Sequence, residues 1–369
     1  MNKPAVPIRR IVLGKDVRGF DLTRRILKRI DGLPIDEDPP YAIRNECPDP
    51  AEPGKDTLHL SVFPGELLKP CPGTQGYICC GYRILHVGTN CPLDCTYCIL
   101  QAYLNQPYLR VFVNLEERLP HIGEELDAQP GKVFRLGTGE FTDSLALDPV
   151  VGWTEVLLPF FKARRNAVLE LKTKTVSVER LLRSGFRDRI VVSWSLNSTR
   201  IASREEHGAP SIRKRLGAAK RVQEEGYVVG FHFDPLIYHP GWREGYLRTI
   251  DMLERYIDPR GVIWISLGSF RYMPQLKTVI RKRHPASRIL EGEFIPGLDG
   301  KMRYFKPIRT EMYSFMAEAL GAWHDELGVY LCMESADVWK DSLGWTPAAG
   351  SAGLAEYLDT RAIRFFDMQ

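Results

Sequence analysis

The sequence has no uninterrupted apolar run approaching the ~20 residues that cross a bilayer, which argues against a membrane-spanning helix. Its first residues, MNKPAVPIRR, lack the apolar core and small-residue cleavage site of a secretory signal. A cytoplasmic, reducing setting is the expectation that follows. Charge of one sign is scarce: 50 Lys and Arg face 46 Asp and Glu, for a net charge of +4. That excludes a polybasic tail protein and leaves room for a local nucleic-acid patch. There is no low-complexity segment and no repeat beyond an alternation of short strands and helices. Cysteine is almost absent from the later chain. Seven of the eight precede residue 100, and only Cys332 follows. In a reducing compartment, clustered cysteines bind metal or do chemistry more often than they form disulfides.

What is present is a globular composition. Hydrophobic residues make up 44% and charged residues 26% of 369. A chain of this length buries roughly 75% of its unfolded surface, so it needs no metal merely to fold. Residues 1 to about 75 read as irregular, punctuated by prolines, with one helix near Leu22–Ile30. From residue 82 β-rich runs alternate with helical stretches. The strands are read at Tyr82–Val87, Val133–Leu136, Val168–Lys172, Ile190–Ser195, Tyr227–Phe233 and Gly261–Leu267. Helices fit near 99–106, 149–164, 177–184, 211–225, 242–256 and 274–283, with a later one near Thr310–Glu326. Six strand–helix units predict an α/β chain with a parallel sheet, open or curled into a partial barrel. Ligands collect at the carboxyl ends of such strands. The division expected is an N-terminal extension over 1–81, the barrel over 82–284 and a C-terminal extension over 285–369.

Directly after the first strand comes Asn90-Cys91-Pro92-Leu93-Asp94-Cys95-Thr96-Tyr97-Cys98, a C-x3-C-x2-C spacing. Three thiolates on one short loop can hold three irons of a [4Fe–4S] cube. The fourth iron is left open to a small molecule with nitrogen and oxygen donors. A structural zinc site prefers two close pairs of ligands, and no obvious second C-x2-C exists.

This loop resembles the motif of the radical S-adenosylmethionine (radical SAM) superfamily. Further segments resemble the spore photoproduct lyase family. They are Tyr97-Cys98-Ile99-Leu100-Gln101, Tyr108 to Asn114, Ser195-Leu196-Asn197, Glu206-His207-Gly208-Ala209-Pro210, Lys214-Arg215-Leu216 and Gly241 to Tyr246. The resemblance runs from about residue 82 to 272, more weakly beyond. It implies a partial (β/α)6 radical SAM barrel, with Cys91, Cys95 and Cys98 on the cluster. It also implies reductive cleavage of S-adenosylmethionine to a 5′-deoxyadenosyl radical. In repair members that radical takes a hydrogen from a thymine dimer in DNA, and a hydrogen atom is later returned. The implied partners are damaged DNA and an electron donor such as flavodoxin or ferredoxin.

Residues at strand ends fit the cofactor. Gly137-Thr138-Gly139-Glu140 resembles the glycine-rich turn whose carboxylate holds the methionine amino group; a plain βα turn is the other reading. Thr142 matches a family hydroxyl. Lys174 resembles a lysine that contacts the methionine carboxylate, with Lys172 as the alternative, and Ser195 matches another carboxylate contact. Tyr97 is placed near adenine, or simply packs. Arg271 matches a family arginine, and Arg303-Tyr304 resembles a pair near the lesion. The basic runs Arg281-Lys282-Arg283-His284 with Arg288, and Arg303 to Lys306, can hold phosphates or form a solvated face.

The match departs in two places. The family's hydrogen-donor cysteine is replaced by Glu140, whose O–H bond is too strong to give up a hydrogen atom readily. A relay tyrosine is replaced by Ile99. A divergent branch with the same cofactor chemistry is therefore expected. His232 and Asp234, two apart on one strand face, suit substrate contact or proton handling as well as a structural pair. Cys71, Cys79 and Cys80, with Cys47 or Cys332, offer ligands for a second iron–sulfur cluster or a hydrogen-donating thiol; free cysteines are the plain alternative. Two other functions stay open: the same radical chemistry on a peptide, RNA or small molecule, and a non-catalytic metal-binding protein that recognises nucleic acid.

Overall fold

Seven parallel strands form the central sheet of the computed structural model, which describes residues 8–37, 54–73 and 76–368. In spatial and chain order they are β1 (Arg83–Leu85), β2 (Phe134–Gly137), β3 (Ala167–Thr173), β4 (Ile190–Ser195), β5 (Val228–Leu236), β6 (Val262–Ser269) and β7 (Val329–Leu331). An edge strand, Leu68–Pro70, pairs antiparallel with β1. The chain after that edge strand reaches the chain after β7 through a bridge between Ile78 and Glu334. The two margins of the sheet are thus drawn together, and the sheet curls into a partial barrel.

The strands form where the sequence supplies unbroken apolar runs. β6, Val262–Ser269, is buried at every position, as a strand covered on both faces must be. Helices pack outside through narrow apolar stripes. In Trp242–Tyr256 the buried residues are Trp242, Gly245, Tyr246, Thr249, Ile250 and Leu253, the three-four spacing of one helix face. The helix expected near 149–164 is two, Asp148–Val151 and Trp153–Lys162, because Gly152 between them is left-handed (φ 76°).

The N-terminal stretch is not irregular, which corrects the expectation. Alongside the helix Asp21–Arg29 lies a second sheet. Its order is Ile35–Glu37, Arg10–Leu13, Thr57–Ser61, Leu109–Phe112 and Gly88–Thr89. Its last two strands come from the far side of residue 81, so the extension is knitted to the segment that carries the cysteine loop. On the C-terminal side, Arg271–Tyr272, Phe294–Pro296 and Met302–Tyr304 form a small antiparallel sheet. Its aromatic residues share a separate apolar core with Leu93, Cys95 and Tyr97 of the loop.

Candidate cluster and cofactor site

The cysteine loop is built by specific bonds. Asn90 adopts a left-handed backbone (φ 69°), which asparagine tolerates better than most residues. Its side-chain amide donates to the Pro107 and Tyr108 carbonyls at 2.8 and 3.3 Å, and its oxygen accepts from the Cys91 N–H at 2.9 Å. Asp94–Cys95 pairs antiparallel with Glu206–His207, and the Thr96 N–H donates to the Glu205 carbonyl at 2.7 Å. Behind the loop, Glu206 accepts from both the Tyr97 hydroxyl and the Arg215 guanidinium. The Glu206 and Arg215 side chains are wholly buried. Arg215 also donates to the Ser195 carbonyl at 3.0 Å, which ties the loop to the end of β4.

The donor set fits an iron–sulfur cube. Burial pushes the Cys91 thiol up and the Cys95 thiol up to about 12. Burial disfavours their thiolate forms, and the positive charge of bound iron would offset that cost. Among the described residues, no three His, Cys, Asp or Glu side chains converge as ligands of a single ion would. A cube distributes its thiolates over separate irons and needs no such convergence.

The turn after β2 carries further cofactor candidates. Asp143 accepts from the Leu145 and Ala146 N–H groups, from the Thr173 hydroxyl at 2.7 Å and from the Lys174 N–H at 2.8 Å. One carboxylate therefore fixes the ends of β2 and β3 together. The Thr142 hydroxyl beside it is buried and finds no protein partner. Such an orphan costs about 1–3 kcal/mol, and a ligand atom would satisfy it. The Lys174 ammonium lies 5.6 Å from the Tyr97 ring centre. Burial opposes the Lys174 charge, yet Cys95 and Glu206 outweigh it and raise the pKa. Glu140 is one-third exposed and ion-paired to Lys172. Lys172, the alternative cofactor lysine, is thus Glu140's partner, with its ammonium 4.6 Å from the Tyr82 ring centre.

The glycines of this turn answer to neighbours in the barrel. A Cβ on Gly137 would overlap the Tyr82 hydroxyl, and one on Gly139 would lie 2.7 Å from the Lys172 Cβ. Glycine is required here to seat Tyr82 and Lys172.

Inside the barrel, His232 and Asp234 have different partners. The His232 Nε2 lies 2.8 Å from Glu170 Oε1, which also accepts from Ser193 at 2.5 Å and Trp264 at 2.8 Å. Burial alone would raise the Glu170 carboxyl, but His232, Lys172 and Ser193 overcome it and hold it at about 2. Asp234 faces Arg271 at 3.2 Å, and an Arg271 nitrogen lies 3.7 Å from the Cys332 sulfur. Burial opposes the Asp234 charge, and Arg271 reverses the effect to lower the pKa. Arg303 is buried, bonded to Asp299 at 2.9 Å and the Met333 carbonyl at 3.1 Å, and stacked 4.0 Å from the Tyr77 ring centre. Tyr304 is buried against Phe294, and its hydroxyl accepts from the Tyr238 N–H at 3.1 Å.

Sequence reasoning missed Asp143, Glu170 and the Glu206–Arg215 pair as organisers. Glu170 did leave a signal, a lone carboxylate in the apolar run Val168-Leu169-Glu170-Leu171. Cys47, a candidate for a second cluster, lies outside the described residues. Cys71, Cys80 and Cys332 are free thiols.

A partial α/β barrel with an open-cluster loop at the end of its first strand defines a radical SAM protein. The model of the spore photoproduct lyase family matches residues 79–301. The chain belongs to that family. Two curated spore photoproduct lyases, from Geobacillus sp. (strain Y412MC61) and Bacillus subtilis (strain 168), are each 28% identical, over 206 and 204 residues. These matches cover 55% and 54% of this chain and 60% of each relative. A third, from Clostridium acetobutylicum, is 22% identical over 256 residues, 69% of this chain and 71% of the relative. A solved spore photoproduct lyase complexed with dinucleoside spore photoproduct superimposes with a TM-score of 0.76 at 22% identity. It covers 89% of this chain and all of that chain. A double variant with bound AdoMet and the same dinucleoside gives 0.77 at 23% identity, covering 90% and 100%. At this divergence the structural likeness establishes the fold.

Proposed function

We propose that this chain is a radical SAM enzyme that acts on a thymine-dimer lesion in DNA and returns the final hydrogen by a route of its own. The observation that carries the proposal is the Cys91–Cys95–Cys98 loop following β1, with Lys174 5.6 Å from the Tyr97 ring centre and an orphaned Thr142 hydroxyl in the turn after β2. Cys91, Cys95 and Cys98 hold the cluster. Glu140, Thr142, Lys174 and Ser195 seat S-adenosylmethionine, and Tyr97 packs at the adenine side. When bound, the cluster and S-adenosylmethionine would supply radical chemistry directed at a substrate C–H bond. The protein holds the reacting parts in place and excludes water.

Arg271 and Asp234 face the lesion side at the carboxyl ends of β6 and β5. Arg303 and Tyr304 shape that wall from behind, through Asp299 and the Tyr238 backbone. His232 is fixed by Glu170 and sits on the same strand face as Asp234. Glu140 occupies the family donor's place, so the hydrogen must come from elsewhere. Cys332, just past β7 and against Arg271, is the thiol we assign. In that step its S–H bond breaks homolytically, a C–H bond forms on the product radical, and the unpaired electron is left on the Cys332 sulfur as a thiyl radical.

The test is anaerobic turnover of dinucleoside spore photoproduct deuterated at the hydrogen that is abstracted. Deuterium in 5′-deoxyadenosine together with recovered thymine supports the reading. Reductant-dependent 5′-deoxyadenosine with no transfer from damaged DNA sinks the DNA reading. It would favour a peptide, RNA or small-molecule substrate. Zinc in place of iron, with no deoxyadenosine, would support the non-catalytic metal-binding reading.

A further inference from the structure

Inside the barrel one carboxylate oxygen serves three donors. Glu170 Oε1 accepts from the Ser193 hydroxyl at 2.5 Å, and from the Trp264 indole N–H and His232 Nε2, each at 2.8 Å. The strands make room for this. Gly230 lies between Ser193 and Trp264 in register, and a Cβ there would fall 2.6 Å from the Ser193 hydroxyl and 3.0 Å from Trp264 Nε1. Glycine lets both side chains reach the carboxylate.

This arrangement fixes the histidine tautomer. A carboxyl held at about 2 is ionised at neutral pH and can only accept, so the proton between it and the ring sits on Nε2. In the neutral ring Nδ1 is then a bare acceptor. His232 is only 7% exposed, yet its Nδ1 has no hydrogen-bond partner among the described residues and keeps an open approach. In register, His232 pairs with Ser195 of β4 and Ser266 of β6. Asp234 follows on the same strand face and holds Arg271 at 3.2 Å. An unpaired acceptor therefore stands between the proposed cofactor contact Ser195 and the guanidinium on the lesion side.

We propose that His232 Nδ1 accepts the ring N–H of the lesion's pyrimidine, and so selects a substrate that carries an imide. The inference rests on the thymine-lesion reading given above. A thymine ring has a single N–H, at N3, flanked by two carbonyl oxygens. Nδ1 matches the N–H, and N–H donors such as those of Arg271 match a carbonyl. Glu170 is a positioning residue: by keeping the proton on Nε2 it keeps Nδ1 able to accept. A ligand that brings no donor is rejected, because it strands a buried lone pair. No covalent bond is made or broken in this recognition.

The test measures anaerobic binding of dinucleoside spore photoproduct to the cluster-loaded protein, beside the same lesion methylated at N3 of one ring or of the other. We expect one methylated lesion to bind about tenfold to a hundredfold more weakly than the unmethylated one. In His232→Leu that difference should vanish, which separates a lost hydrogen bond from crowding by the methyl group. His232→Gln, whose side-chain oxygen accepts, should recover part of it. A second readout needs neither ligand nor turnover. The ¹⁵N spectrum of the imidazole, assigned by its loss in His232→Leu, should show the proton on Nε2 alone at neutral pH, and a mixture of tautomers in Glu170→Ala. Equal binding of all three lesions, or a ring protonated at Nδ1, would overturn the proposal and leave the DNA reading standing. An Nε2–H form that persists unmixed in Glu170→Ala would overturn the role given to Glu170. No binding of the unmethylated lesion by the unaltered protein would sink the DNA reading, and this assignment with it.

Discussion

Single residues hold the cysteine loop, and their cost is measurable. Glu206 and Arg215 are both fully buried, so removing one leaves the other as an unpaired charge. Arg215→Ala should lower unfolding free energy by about 3–5 kcal/mol in chemical denaturation, and should loosen Tyr97 as well. Glu170 gives a pH signature. Its folded carboxyl is held at about 2, below its ordinary 4.5. That stability is full above about pH 4.5 and is lost as pH falls towards 2. Glu170→Gln should flatten this part of an acid-unfolding curve. At this scale the three cluster ligands were legible because all sit on one short loop, where spacing alone carries the geometry. The partners of Glu140, Asp143 and Glu170 were not. Lys172 lies beside Glu140, and Trp264 beside Glu170, only through strand register, which no local pattern encodes.

At the scale of elements, two tight fits decide whether the site forms. The end of β2 accepts no side chain at Gly137, because the Tyr82 hydroxyl fills that space. Gly137→Ala should destabilise the fold by about 1–3 kcal/mol, read as a lowered thermal midpoint. The helices 242–256 and 274–283 were legible to the residue, since their apolar stripes and starts (Gly241, Pro274) are local signals. Other elements left no such trace. Pro120 lies inside the helix Leu115–Asp127 and reads as a breaker in sequence. β7 is only three residues long. The N-terminal sheet joins Arg10–Leu13 to Thr57–Ser61 and Leu109–Phe112, pairings between distant segments interrupted by prolines.

For the whole molecule, the sheet margins meet where Ile78 bridges Glu334, and Cys80 and Cys332 place a free thiol on each segment. Cys332→Ala should leave reductant-dependent formation of 5′-deoxyadenosine in place while recovered thymine falls, measured as the ratio of the two products. No described helix is long and apolar enough to cross a membrane. The barrel class was readable from six alternating units and one cysteine loop. The closure of the barrel was not, because it depends on residues more than 250 positions apart. The most direct test of the central claim is anaerobic reconstitution with iron and sulfide, followed by dithionite and S-adenosylmethionine. The account predicts about four irons per chain and 5′-deoxyadenosine, both lost in Cys98→Ala. Iron-free protein holding zinc, or deoxyadenosine that persists in Cys98→Ala, would contradict it.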